Sequence, residues 1–271
     1  MQVSRRALAA AVSVGTVARP YRGCYALPKA ARAQVLSAMM RARMTCVTAL
    51  AAWDVPLLGA DLSDVHLAVP RDRGITSGDV RWQSDVVLHR GPVLTGVRSV
   101  DMPTALGHAA RCADFPTLLV ATDYLLRSGS ISRSALDAVP GSAGRRLRAM
   151  ASAEADSPPE TLARLALIEA GYQPRQQVTF TTIGRVDLVV NDSAVIEIDG
   201  RAYHSDPAAF VRDRRRDRAL AQLGYRVLRF AAAEVLADRA IVARDVAASV
   251  GPPRGATLAR AVAGRHPAGT A

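Results

Sequence analysis

Two apolar segments separated by only three residues place the strongest constraint on the fold of this chain. The segments are Gly184–Val190 and Ala194–Asp199, and each has the length and the β-branched composition of a strand. Asn191, Asp192 and Ser193 lie between them, and so short a connection favours an antiparallel hairpin. The sequence therefore predicts that these two strands pair with each other.

Three acidic residues interrupt these apolar strands. Strand side chains alternate between faces, so Glu197 and Asp199 share one face of their strand, and the hairpin brings Asp187 beside Glu197. Carboxylates packed in an apolar sheet need a cation, protons or arginines beside them. The spacing leaves two interpretations open. One is a site for Mg²⁺ or Mn²⁺, which prefer oxygen ligands; the other is edge-strand acids that keep the sheet soluble, with Asp187 paired to an arginine.

The flanking sequence predicts an α/β domain over residues 155–250. A helix is predicted at residues 157–170, where Ser157 can cap the first turn and two prolines follow it. The further predicted elements are strands at residues 177–181 and 225–230, a long charged helix at residues 206–223 and a helix from residue 231. This order is typical of an α/β core. The tail, residues 251–271, is rich in Gly, Pro and Ala, which predicts disorder.

The C-terminal segments resemble a widespread bacterial domain of unknown function that is related to the very-short-patch-repair (Vsr) endonucleases of the PD-(D/E)XK superfamily. The matching pieces, in order, are Ser157-Pro158-Pro159-Glu160, Gly184-Arg185-Val186-Asp187, Val195-Ile196-Glu197-Ile198-Asp199-Gly200, Tyr203-His204, Asp213-Arg214-Arg215-Arg216-Asp217 and Leu223-Gly224-Tyr225-Arg226-Val227-Leu228-Arg229. The resemblance implies a nuclease-like mixed sheet flanked by helices.

The same resemblance assigns roles to individual residues. It implies that Asp187 and Glu197 bind Mg²⁺ or Mn²⁺ and that Glu160 supports the site from the first helix. It also implies that His204, or an arginine of the long helix, contacts phosphate or the leaving group; the alternative for His204 is a surface histidine that flanks this helix. Asp199 completes the predicted carboxylate cluster.

One position departs from the superfamily pattern. The pattern has a lysine two residues after the second acid, where this chain has Asp199, and the only lysine of the chain is Lys29. An arginine is a poor general base because it stays protonated. Three outcomes therefore stay open: the metal alone activates water, His204 assists, or catalytic activity is lost.

The basic character of the chain predicts contact with nucleic acid. The formal net charge is +11, and no acidic residue precedes Asp54. Arg212 and Arg216 lie on the long helix together with Asp213 and Asp217, so this helix combines a salt-bridged face with a phosphate-tracking one.

The N-terminal segments resemble the winged-helix start of AbiEi-type antitoxins from bacterial abortive-infection systems. The matching pieces are Ser4-Arg5-Arg6-Ala7-Leu8, Arg22-Gly23-Cys24-Tyr25-Ala26-Leu27, Val65-His66-Leu67-Ala68-Val69-Pro70 and Gly96-Val97-Arg98-Ser99-Val100-Asp101. The resemblance implies DNA binding through Arg5, Arg6, Arg19 and Arg22. We therefore predict a winged-helix-like DNA-binding region at residues 1–75 and a mainly helical region at residues 76–154. Residues 13–18 are predicted to form a second short helix. Residues 65–69 and 80–89 are predicted to form strands, and residues 100–154 are predicted to be helical.

The cysteines and histidines of the N-terminal half show no motif. The three cysteines (Cys24, Cys46 and Cys112) are odd in number and form no Cys-x-x-Cys pair, so the sequence predicts neither a disulfide framework nor a zinc site. The histidines at 66, 89 and 108 lack ligand spacing and are expected to be core or surface residues. The apolar run after Arg5-Arg6 is short for a signal sequence, and a cytoplasmic, non-membrane protein is expected.

These observations lead to two functional hypotheses. The first is a DNA-associated, metal-dependent endonuclease that hydrolyses phosphodiester bonds. The alternative is a non-catalytic DNA-binding regulator, or an AbiEi-like antitoxin, with a degenerate nuclease fold. Cleavage of RNA is a third hypothesis, and the sequence leaves the oligomeric state and the pathway open.

Overall fold

The structure of the chain is a computed structural model that describes residues 3–74, 85–91, 98–200 and 207–253. Its contacts divide the chain into two compact units, Met1–Ala151 and Ser152–Ala271. The predictions for His204 and for residues 254–271 of the tail lie outside the described residues. Among the described helices, none combines the length and the apolar character that a crossing of the bilayer requires.

The N-terminal unit is a mixed α/β arrangement with two small sheets. Its elements are α1 (Arg5–Ser13), β1 (Ala18–Tyr21), β2 (Cys24–Ala26), α2 (Arg32–Met39), β3 (Arg43–Met44), α3 (Cys46–Ala52), β4 (Val65–Pro70), β5 (Val86–Gly91), α4 (Met102–Ala109), α5 (Phe115–Arg127), a 3₁₀ helix (Arg133–Ala138) and α6 (Gly141–Met150). β1 and β2 form an antiparallel hairpin, and β4 pairs antiparallel with β3 and parallel with β5. The predicted strand at residues 65–69 and the helical stretch after residue 100 are confirmed.

The predicted second helix at residues 13–18 is wrong. α1 ends at Ser13, and Gly15 adopts φ +74°, a left-handed conformation that terminates helices. The backbone N–H groups of Thr16 and Val17 donate to the carbonyl of Ala11, which closes the end of α1, and a strand then begins at Ala18. The strand predicted at residues 80–89 starts at Val86 within the described residues.

The C-terminal unit contains a four-stranded mixed sheet with helices. Its elements are α7 (Pro158–Glu169), β6 (Arg175–Phe180), β7 (Gly184–Val190), β8 (Ala194–Asp199), α8 (Pro207–Gln222), β9 (Arg226–Ala231), α9 (Ala232–Ala237) and α10 (Ala240–Val250). The strand order is β6-β7-β8-β9, with two antiparallel pairings followed by a parallel one between β8 and β9. The predicted mixed α/β class and the order of elements are confirmed.

The hairpin between β7 and β8 forms as the sequence predicts. Leu188 pairs with Ile196, and Val190 pairs with Ala194. Asn191 and Asp192 in the turn have φ of +54° and +51°, a conformation that asparagine and aspartate adopt more readily than other side chains.

A small apolar cluster holds helix α8 against the sheet of the C-terminal unit. Leu220 of α8 is fully buried and packs with Val186, Val189 and Val195 of β7 and β8. Phe180 and Tyr225 flank this cluster with an edge-to-face contact at 5.0 Å between ring centroids. Leu220 is therefore the buried side chain through which α8 joins this cluster.

Truncation of Leu220 tests this arrangement. We expect Leu220→Ala to lower the free energy of unfolding of the C-terminal unit by about 2–5 kcal/mol, because it leaves a cavity under α8. Leu223, which is 58% exposed just after the same helix, is the matched control; Leu223→Ala should change the stability by less than about 0.5 kcal/mol. Urea denaturation followed by circular dichroism measures both, and equal effects would contradict the packing described.

Candidate active site

Asp187 lies where the regular pairing of its strand is interrupted on both sides. The register between β7 and β8 ends at Leu188, and the Asp187 carboxylate instead accepts a hydrogen bond from the Ile198 backbone N–H at 2.8 Å. On the other side, the paired positions flank Gln177, which lies across from Asp187 with φ +49°. The side chain of Asp187 thus takes the place of a backbone hydrogen bond between β7 and β8. This contact directs the Asp187 carboxylate toward β8.

Glu197 lies beside Asp187 and is the most deeply buried acid of the cluster, with 6% of its surface exposed. Arg216 of α8 approaches it, with 2.7 Å between Arg216 Nη2 and Glu197 Oε1. The same guanidinium nitrogen donates to the backbone carbonyl of Arg185. No donor among the described residues is aligned with Glu197 Oε1 for a hydrogen bond, and the charges of Arg216 and Arg229 compensate the buried carboxylate.

Burial raises the pKa values of three carboxyl groups at this site. For Glu197, burial raises the pKa from 4.5 to about 7; Arg216 opposes this shift and the negative charge of Asp187 adds to it. Burial likewise raises the pKa of Asp187, against the hydrogen bond from Ile198. Burial also raises the pKa of Glu160, and Asp187 contributes to that rise. The three acids therefore form one electrostatically coupled group.

Glu160 lies at the start of α7 in a network of hydrogen bonds. Its carboxylate accepts from the Ser157 hydroxyl and the Asp156 N–H, both at 2.8 Å, and from the Gln177 amide at 3.0 Å. Ser157 caps α7, because its hydroxyl oxygen accepts a hydrogen bond from the Glu160 N–H. The structure thus places Glu160 as a buried support that links α7 to β6, near Asp187.

Asp199, at the position where the resemblance implies a lysine, forms an ion pair with Arg229. Arg229 Nη1 lies 3.2 Å from Asp199 Oδ1, and Arg229 Nη2 donates to Asp217 of α8 at 2.9 Å. Arg229 is also the residue directly opposite Glu197 in the parallel pairing of β8 and β9. A guanidinium on the neighbouring strand therefore supplies positive charge beside the carboxylates, although the motif lysine is absent.

The sequence pattern assigned no role to Arg229 or Gln177, although both contact the cluster. Each is a polar residue within a predicted strand, which was an available signal. The position of Arg229 depends on a parallel pairing across the α8 crossover, and that register is not encoded locally. His204, predicted to assist, lies outside the described residues.

The donor atoms of the cluster fit a hard divalent cation. Glu197 Oε1 and Gln177 Oε1 are both buried without a hydrogen-bond partner in the described part of the chain. The Gln177 amide nitrogen donates a hydrogen bond to Glu160, so the amide oxygen of Gln177 is the atom that could bind a cation. Asp187 adds a second carboxylate next to Glu197. Mg²⁺ and Mn²⁺ bind such oxygen ligands, commonly with one or two carboxylates.

The predicted nucleic-acid-binding arginines lie in separate places. Arg5 and Arg6 are exposed in the first turn of α1, Arg22 is exposed in the turn of the β1–β2 hairpin, and Arg19 of β1 lies over the Tyr25 ring at 5.8 Å. In the C-terminal unit, Arg212 is exposed on α8, one turn before Arg216. Arg216 itself lies in the carboxylate cluster.

Basic side chains also line a groove of the N-terminal unit. Its volume is about 770 Å³, and its described lining includes Lys29, Arg41, Arg43 and Arg98 but no acidic residue. The groove therefore presents a positive surface.

The mixed sheet of the C-terminal unit, with acids where two of its strands separate, is compatible with a restriction endonuclease-like domain. The restriction endonuclease-like family model REase_MTES_1575 matches residues 160–250, from α7 to the end of α10. Neither the curated proteins nor the solved structures contain a match to the chain. The match leaves the Vsr-like relationship and the N-terminal winged helix as predictions.

The raised pKa of Glu197 makes the stability of the metal-free protein depend on pH. Between about pH 4.5 and 7, the folded protein holds a proton on Glu197 that the unfolded chain has released. The resulting stabilisation of the folded protein is complete below the unfolded pKa of 4.5. It is lost as the pH rises through the folded pKa of about 7, and the loss is at most about 3 kcal/mol. In EDTA, we expect the stability of wild type relative to Glu197→Gln to fall from about pH 5 to about pH 8. Thermal denaturation measures this difference, and a constant difference would contradict the proposed titration.

Proposed function

We propose that the C-terminal unit is a Mg²⁺- or Mn²⁺-dependent nuclease that hydrolyses phosphodiester bonds in DNA. The observation that carries this proposal is the buried pair Asp187 and Glu197, in a domain that matches a restriction endonuclease-like family. Glu197 Oε1 has an ion pair with Arg216 but no hydrogen bond from the described residues. Buried acids of this kind need compensation by a cation, protons or arginines, and they cluster at functional sites more often than elsewhere.

Asp187 and Glu197 are the metal ligands in this proposal, and Gln177 Oε1 is a further oxygen donor near them. When bound, the metal polarises a phosphate oxygen and lowers the pKa of a bound water. Asp187 is held in place by the Ile198 N–H, and Glu160 positions Gln177 through a hydrogen bond of 3.0 Å. These contacts hold the ligand atoms in position in the metal-free protein.

Arg216 and Arg229 neutralise negative charge in the proposed site. Arg216 contacts Glu197, while Arg229 links Asp199 and Asp217. Both guanidiniums stay protonated at all relevant pH values, so they stabilise a phosphate without acting as a base. The assignment of Arg212 to phosphate contact rests on its exposure on the same helix as Arg216.

DNA is the partner that the charge of the protein favours. The net charge is +11 and the isoelectric point is near 10.6. The exposed arginines Arg5, Arg6 and Arg22, together with Arg19, form a basic N-terminal segment that we assign to phosphate contact. Such contacts give affinity and salt dependence rather than sequence choice.

A second candidate function is a DNA-binding regulator that retains the nuclease fold without catalysis. The pair between Asp199 and Arg229 favours it, because an acid in an ion pair replaces the lysine of the superfamily pattern. The chain has no lysine after Lys29 that could substitute. This candidate predicts DNA binding with intact metal ligands but no cleavage.

Nicking of supercoiled plasmid by the full chain with Mn²⁺ or Mg²⁺ tests the proposal. We expect Asp187→Asn and Glu197→Gln each to reduce the rate by about 100-fold or more, because each removes a metal ligand and nearly preserves the shape of the side chain. Asp192→Asn is the matched control: this exposed acid lies in the same hairpin, and its loss should leave the rate unchanged.

The outcomes separate the two candidates. Metal-dependent nicking that only the Asp187 and Glu197 variants lose supports the nuclease. Nicking that survives in both variants would place the activity elsewhere. Salt-sensitive DNA binding in a mobility-shift assay, without cleavage of duplex DNA, single-stranded DNA or RNA, would contradict the nuclease and support the regulator.

A further inference from the structure

Four side chains in the N-terminal unit, remote from one another in sequence, point their ligand atoms at one place. Cys46 begins α3, His66 lies on β4, His89 lies on β5 and Cys112 lies in the turn after α4. The four ligand atoms all lie within 4.8 Å of one another. The three positions 46, 66 and 89 are buried, and Cys112 is exposed, so the cluster is open to solvent on one side.

Two of the distances between these atoms are close to those of a tetrahedral N₂S₂ site. His66 Nδ1 lies 3.0 Å from His89 Nε2, and Cys112 Sγ lies 3.8 Å from the same nitrogen. Zinc bond lengths to imidazole and thiolate in a regular tetrahedron place two nitrogens about 3.3 Å apart, and a nitrogen and a sulfur about 3.6 Å apart. Both distances in the structure are within a few tenths of an ångström of these values.

The surrounding backbone holds the four residues in place. β4 and β5 pair in parallel with His66 opposite Val87 and His89 opposite Ala68, so the two histidines lie on the same face of the sheet. The Thr45 N–H donates to the His66 carbonyl at 3.1 Å, and the His66 N–H donates to Thr48 Oγ1 at 2.8 Å. These bonds fix the start of α3, and therefore Cys46, against β4.

His108 supports the cluster from outside. Its ring stacks on His89 with 4.6 Å between the centroids, and its Nδ1 lies 2.7 Å from Thr45 Oγ1. An outer residue that orients a ligand ring is a common feature of metal sites. A hydrogen bond between His66 and His89 would by itself explain why their two nitrogens lie close together. It would not explain why two thiols converge on the same point.

We propose that Cys46, His66, His89 and Cys112 bind one Zn²⁺ ion in a structural site of the N-terminal unit. Imidazole and thiolate are the ligands that zinc prefers, and four protein ligands close the coordination sphere, which is typical of structural rather than catalytic zinc. The ion would join α3, β4, β5 and the turn after α4 across more than sixty positions of sequence, from 46 to 112. The exposed side at Cys112 provides an entry path.

Titration of the full-length, metal-free protein with Co²⁺ under reducing conditions tests this site. We expect one Co²⁺ to bind with the visible bands of a tetrahedral site and a near-ultraviolet charge-transfer band from thiolate to cobalt, and Zn²⁺ to displace it. The charge-transfer band is specific to this cluster, because the acids of the C-terminal unit offer only oxygen ligands.

Substitution of Cys112 provides the decisive variant, because this residue is exposed whereas Cys46 is fully buried. Cys112→His retains four ligands, so we expect binding to persist while the charge-transfer intensity falls by about half with the loss of one of two thiolates. Cys46→Ser should abolish the tetrahedral spectrum. Cys24→Ser, a buried cysteine outside the cluster, is the matched control and should leave the spectrum unchanged.

Three results would overturn the proposal. They are the absence of a charge-transfer band in wild type, a band that Cys112→His leaves at full intensity, and a band that Cys24→Ser weakens as much as Cys112→His does. In buffer without Mg²⁺ or Mn²⁺, a chelator should also lower the melting temperature of the zinc-loaded wild type and leave that of Cys46→Ser unchanged, because a ligand that binds only the folded state stabilises it. None of these readouts depends on nuclease activity.

Discussion

Burial of two neighbouring carboxylates in an apolar sheet is the constraint on which the C-terminal unit depends. Asp187 and Glu197 repel each other, and burial is the largest cause that raises the pKa values of both. The fold compensates with backbone N–H groups, among them that of Ile198, and with Arg216 beside Glu197. The interrupted pairing on both sides of Asp187 and the ion pair from α8 hold these acids in place.

Each unit contains its own set of potential metal ligands, and the two sets differ in chemical character. The C-terminal set consists of carboxylate and amide oxygens, which suit hard cations such as Mg²⁺ and Mn²⁺. The N-terminal set consists of two imidazoles and two cysteine sulfurs, which suit zinc. Because these preferences differ, loss of one metal would leave the other site chemically intact, and a role in stability can be separated experimentally from a role in catalysis.

Local sequence rules were sufficient wherever neighbouring residues decide the structure. The hairpin between β7 and β8 follows from its three-residue connection, and the start of α7 follows from Ser157 and Glu160. The same rules were wrong at residues 13–18, where Gly15 ends the helix and a strand follows. They also gave no sign that Cys46, His66, His89 and Cys112 converge, because spacing rules recognise ligands that are close in sequence.

The sequence by itself determined the α/β class, the order of the elements in the C-terminal unit and the adjacency of Asp187 and Glu197, because alternation along strands and short turns are local properties. Only the tertiary structure decided that Arg229 lies opposite Glu197 and that Cys46, His66, His89 and Cys112 converge. Both depend on parallel pairings between strands that are distant along the chain. The register of such pairings is set by the packing of the whole unit rather than by any short segment.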